Sequence, residues 1–213
     1  LNAVFILFLM YYFNSWNNLI AWIYLALHGT YGFLWILKSR IFPDKQWENK
    51  TSIWYGLIIW AGLSLYWVSP YIIITGNHLL PFNISVNPIY IFFCITLYVF
   101  GIFMHFTSDM QKYINLKLNP GHLIKDDMFK KLRNTNYLGE LFIYVGFSLL
   151  AFDWAPLIVL SIFIIAIISF IFFKKAYWAI LSIIPLFTAV ILNFGMMGLI
   201  GVELSHLTAL LTS

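Results

Sequence analysis

Every basic residue of this chain lies in one of three short intervals, and the stretches between them are apolar and almost empty of charge. The twelve Lys and Arg residues occupy positions 38–50, 112–133 and 174–175. Six apolar runs cover residues 19–37, 53–75, 88–106, 137–152, 154–173 and 176–202, and a shorter one covers 3–13. About 20 apolar residues wound as a helix cross the ~30 Å of hydrocarbon in a bilayer. No alternating barrel pattern is present. The spans are therefore expected to be helices, because lipid offers the backbone no other partner. The predicted fold is all-α: a polytopic membrane helix bundle of six to seven transmembrane helices, forming one integral-membrane domain over residues 1–213. The run at 176–202 carries Pro185, Gly195, Gly198 and Gly201, which predicts a kinked span or two shorter pieces. The run at 3–13 reads as the remainder of a span that starts before Leu1.

The connections at 14–18, 76–87 and 153 hold no basic residue. By the positive-inside rule the three basic loops face the cytoplasm, which makes the chain a multi-pass protein of an endomembrane or a bacterial inner membrane. The lipid bilayer is thus its first partner. Charged residues make up 9% of the chain, where a soluble domain carries about 25%. Aromatics reach 20%, more than span length requires, and predict tightly packed helices or a cavity for a flat apolar ligand. The net charge of +4 is accounted for by the loops, and no basic run interleaved with aromatics suggests nucleic acid. Cys94, the lone cysteine, lies in an apolar run, so disulfides play no part.

Candidate chemistry gathers between His105 and Glu140, which holds six of the twelve basic residues and four of the eight acids. His105, Ser108, Asp109 and Lys112 recur at i, i+3, i+4 and i+7, so they share one helix face. They read either as a helix end leaving the bilayer or as polar groups holding a ribose or an amide. Arg133, Asn136, Tyr137 and Glu140 follow, with Asn136 and Glu140 one turn apart. Glu140 already belongs to an apolar run, where an acid faces a partner or a wet cavity rather than lipid. The alternative is an acid placed at a helix start by the dipole. Gly139 permits close helix approach on either reading. His28 sits deep in the 19–37 run and is either a functional group or a histidine bonded to a neighbouring helix. Lys38 and Arg40 are interfacial anchors or a phosphate clamp. There is no GxGxxG, no Walker A, no zinc spacing and no Ser-His-Asp arrangement.

The segment SDMQ, a basic loop, and RNTNYLGE running into an apolar helix resemble the cytoplasmic signature of the steroid 5α-reductase-like membrane family. This superfamily includes sterol reductases and isoprenylcysteine carboxyl methyltransferases. The matching residues are His105, Ser108, Asp109, Met128, Phe129, Asn136, Tyr137, Gly139 and Glu140, and upstream the segment HGTYGFLWILKSRIFPD. The likeness covers about residues 24–175 and leaves a divergent apolar segment, 176–213. It implies a cytoplasmic NADPH site, with His105, Asp109, Arg133, Asn136, Tyr137 and Glu140 on the cofactor and Lys38 and Arg40 at its phosphates. It implies reduction of a carbon–carbon double bond in a steroid-like or isoprenoid lipid, an apolar substrate held among the helices.

The family polarises the substrate carbonyl with an early tyrosine and glutamate. Here Ala26 falls at the tyrosine position, Tyr24 is the nearest alternative, and the glutamate position falls near or before Leu1. His28 or Tyr24 is therefore the expected polarising group. The family's tail, R-Y-P-x-Y, is replaced by the apolar segment. These departures leave two other readings open: a catalytically inactive relative serving as a structural subunit of a membrane complex, and a methyltransferase of the same fold using S-adenosylmethionine.

Overall fold

The computed structural model describes residues 2–44, 50, 52–82 and 86–173, with residues 55, 58 and 166–173 described by backbone alone. The expected span at 176–202, the basic pair at 174–175 and Lys45 lie outside the described residues. The helices are α1 (Asn2–Tyr12), α2 (Leu19–Ile41), α3 (Ile53–Ser64), α4 (Val68–Thr75), α5 (Pro88–Leu118), α6 (Thr135–Leu149) and α7 (Trp154–Phe173), with short 3-10 turns at Leu65–Trp67 and Asp127–Phe129. The described chain is helical and contains no strand; Pro81 and Asp153 form an isolated bridge. The chain divides into two compact units, Leu1–Leu157 and Ile158–Ser213. The described part of the second unit is the continuation of α7 to Phe173.

Two described helices, α2 and α5, are long and apolar enough to cross a membrane. Of the six to seven expected spans, these two are identified by length and composition among the described residues, and the run at 176–202 lies outside them. The run at 53–75 is not one helix but α3, a 3-10 turn and α4. Pro70 lies in the first turn of α4 and has no N–H for the carbonyl of Tyr66, four residues back. That carbonyl instead accepts from the Tyr24 hydroxyl at 3.3 Å, so the break ties α2 to the 3-10 turn. Helix α6 has 15 residues, about 22 Å of rise, short of the ~30 Å core.

Helix α5 goes the other way. Its apolar run ends near Phe106, yet the helix continues to Leu118, 31 residues in all. Asn87 caps its start, accepting from the Tyr90 amide at 2.8 Å, with Pro88 next, where no N–H is needed. Asn119 ends it, because the residue before Pro120 disfavours helical backbone. The extension carries Ser108, Asp109 and Lys112 beyond the apolar part, on one face with His105 in its last turn.

The main helix contact is α5 against α6, and glycines permit it. A Cβ on Gly101 would stand 2.7 Å from the Gly139 carbonyl oxygen and 2.8 Å from the Ile143 nitrogen; a Cβ on Gly146 would stand 3.1 Å from the Cys94 carbonyl oxygen. Tyr24, Ile72, Tyr98, Ile143 and Phe147 fill the core beside this seam. The loop before α6 is fastened at Met128. Gln111 accepts from the Met128 amide at 3.1 Å and donates to the Asp126 carbonyl at 2.9 Å, while the Thr135 hydroxyl donates to the Met128 carbonyl at 2.6 Å. At the other end of α6, fully buried Asp153 accepts from the amides of Leu79, Leu80 and Ala155 at 2.7–2.9 Å.

Candidate functional site

Where α2, α5 and α6 meet, four ionisable side chains come together. Lys38 of α2 is paired with Asp109 of α5, and the two are only 4% and 8% exposed. At that burial water cannot compensate either charge, so each depends on the other. The Lys38 ammonium also lies 4.1 Å from the centre of the Trp35 ring. One turn before Asp109, His105 places Nε2 at 3.6 Å from the same carboxylate oxygen. Its Nδ1 donates to the Asn136 carbonyl at 3.3 Å and stands 3.9 Å from Oε1 of Glu140. Ser108, on the same face, bonds back to the Met104 and His105 carbonyls at 2.6 and 3.1 Å and so stays within its own helix.

A cavity of about 500 Å³ opens beside this cluster. Lys38 reaches it from α2, and Phe42, Pro43 and Asp44 line it from the segment that follows. Asp109, Lys112, Tyr113, Leu116 and Lys117 line it from the extension of α5. Lys112 is 3.4 Å from Asp44, and the Lys117 ammonium is 5.8 Å from the Tyr113 ring centre. Three lysines thus face two aspartates, and the local balance favours an anion.

The structure groups Lys38, His105, Asp109 and Glu140, with Asn136 joined through its backbone. It leaves others apart. Arg40 is exposed and does not line the cavity, nor does the exposed Arg133. Tyr137 is 63% exposed. His28 and Tyr24 are buried in a different network: Nε2 of His28 is 2.9 Å from the Asn2 amide nitrogen, and Nδ1 is 3.2 Å from the Tyr24 hydroxyl. Phe147 stacks on the His28 ring at 4.6 Å. Glu140 stands in the second turn of α6, past the first turn where the dipole favours an acid.

Sequence reasoning missed Asp44, Tyr113 and Lys117 at the cavity. For Tyr113 and Lys117 the signal was the helical period continued past Lys112, since 109, 113 and 117 are each one turn apart; Asp44, outside the helix, had none. It also missed a tyrosine cluster beside Glu140. The Tyr31 and Tyr144 hydroxyls are 3.2 Å apart, and the Tyr66 and Tyr144 rings are 5.0 Å apart.

The sequence profile of one family, described as "Protein of unknown function (DUF1295)", matches residues 40–180, about two-thirds of the chain. The chain belongs to the DUF1295 family. The matched region takes in His105, Asp109, Asn136, Glu140 and the α5–α6 seam; Tyr24, His28 and Lys38 lie before it. No curated protein and no solved structure matches the chain.

Proposed function

We propose that this DUF1295 chain is an NADPH-dependent reductase of a carbon–carbon double bond in an apolar, oxygen-bearing lipid, of the steroid 5α-reductase-like kind. The observation that carries the reading is the cluster of buried Lys38, Asp109 and His105 with half-buried Glu140, beside a lysine-lined cavity. Its residues fall on the motifs that resemble that family. The donor set fits the phosphate end of a dinucleotide, and the orphaned, buried Nε2 of His105 fits a polar ligand or its counter-group. Lys38, Lys112 and Lys117 would meet phosphate oxygens, while Glu140 would accept from an amide or hydroxyl. Bound NADPH supplies hydride. The chain's part is to position it, exclude water and hold the lipid oxygen. The tyrosines at 31, 66 and 144 lie beside Glu140 and suit that last task, because a phenol both donates and accepts.

A second reading has its own support. His28 and Tyr24, the two candidates for the polarising group, are engaged with Asn2 and the Tyr66 carbonyl inside the core. Groups so occupied serve packing, which suits an inactive relative acting as a structural subunit. Thermal stability of the purified protein with and without NADPH separates the two. A cofactor at 100 times its Kd stabilises by about 2.7 kcal/mol. The absence of any shift at saturating NADPH, together with co-purification of a fixed set of membrane proteins, would overturn the reductase reading.

A further inference from the structure

The two ring nitrogens of His105 stand in unlike surroundings, although the side chain is only 2% exposed. Nδ1 faces the Asn136 carbonyl, which can only accept, so Nδ1 carries a hydrogen. Nε2 is buried with no hydrogen-bond partner among the described residues. It faces Oδ2 of Asp109 at 3.6 Å, within ion-pair range but beyond a hydrogen bond. A hydrogen on Nε2 would have no acceptor in this arrangement, which a buried cation does not tolerate. The ring is therefore neutral here, with its lone pair toward Asp109.

That same Asp109 oxygen is held by Lys38, and both residues line the cavity. An anion in the cavity attracts the Lys38 ammonium and repels the Asp109 carboxylate. Once Lys38 turns to the anion, Asp109 is a buried carboxylate without its counter-ion, a strongly unfavourable state. Three charged or titratable groups surround the His105 ring: Lys38 from α2, Asp109 from α5, and Glu140 from α6 at 3.9 Å. Of all these, His105 gains a positive charge by taking up a proton, and its open nitrogen already faces Oδ2.

We propose that anion binding in this cavity is coupled to uptake of one proton at Nε2 of His105, which then takes over Asp109 from Lys38. The proton comes from solvent onto the Nε2 lone pair, and no covalent bond of the chain breaks. The ligand class is a doubly charged oxyanion, such as a phosphate group of a nucleotide. The inference rests on the anion site of the proposed function and adds its proton linkage. Binding then tightens as pH falls, by up to about tenfold per unit across the range where His105 titrates between its free and bound states.

The test is titration calorimetry of the full chain with sulfate, which does not itself titrate near neutrality, in two amine buffers of different ionisation enthalpy. NADPH is titrated in parallel. A buffer-dependent heat equal to one proton taken up, lost in His105→Gln, is the expected result. Asp109→Asn, which removes the charge that needs compensation, should lose it too and serves if His105→Gln does not fold. Sulfate binding with no buffer dependence would overturn the coupling, as would uptake retained in His105→Gln. No binding of sulfate overturns the anion site and the coupling together. Sulfate binding with proton uptake but without NADPH binding supports the coupling and sinks the reductase reading alone.

Discussion

Gly139 of α6 lies so close to the α5 backbone at His105 that a Cβ on it would stand 2.5 Å from the His105 amide nitrogen. This contact sets the site. It brings the first two turns of α6 against the turn of α5 that carries His105 and Asp109, so that Asn136 and Glu140 meet the imidazole.

Gly139→Ala should therefore force the two helices apart, costing about 1–3 kcal/mol as overpacking does. Gly32→Ala is the control. Nothing lies within 4 Å of its added Cβ, so it should stabilise α2 by about 0.5–1 kcal/mol. Thermal denaturation of both variants in one detergent checks this. Equal melting temperatures would mean that the seam is not tight.

Lys38→Met should be among the most damaging single changes, costing about 3–5 kcal/mol by leaving Asp109 buried and unpaired. Adding Asp109→Leu should recover most of that loss. The double-mutant cycle reads the coupling directly, and two losses that simply add would refute mutual dependence.

Glu140→Gln should weaken NADPH binding by about tenfold, or 1.4 kcal/mol, with little change in the melting temperature of the free protein. Glu140 lies outside the first helical turn, so the dipole gives it no large structural role. A lower melting temperature with unchanged NADPH affinity would mark it as structural.

Single cysteines at Lys125 and Asn77, in place of those exposed residues, should label from opposite sides of a sealed vesicle, with Lys125 on the cytoplasmic side. Labelling of both from one side would refute the charge-segregated topology.

Much of the site was legible one residue at a time. His105, Asp109 and Lys112 stand out because helical spacing puts them on one face, and Glu140 because an acid is rare in an apolar run. Their partners were not legible. Lys38 and Asp109 are 71 positions apart, and no local pattern joins them. Lys38 and Arg40 looked like a pair, yet at 3.6 residues per turn two successive steps rotate a side chain by about 200°. When Lys38 faces α5, Arg40 must face away, and it is exposed. Tyr137 is likewise about 100° from Asn136 and turns outward.

By itself the sequence determined the helical class, the shared face of His105, Ser108, Asp109 and Lys112, and which residues carry charge amid apolar runs. Those features follow from composition and short spacing, which act within a few turns of chain. Tertiary structure alone decided which polar residues meet. Burial makes an ion pair obligatory only when helices from distant positions enclose it, and here the glycine seam of α5 and α6, with α2 beside it, does the enclosing. It also decided that the 53–75 run tightens into a 3-10 turn midway, where the carbonyl that Pro70 leaves unpaired finds its donor in Tyr24 of another helix.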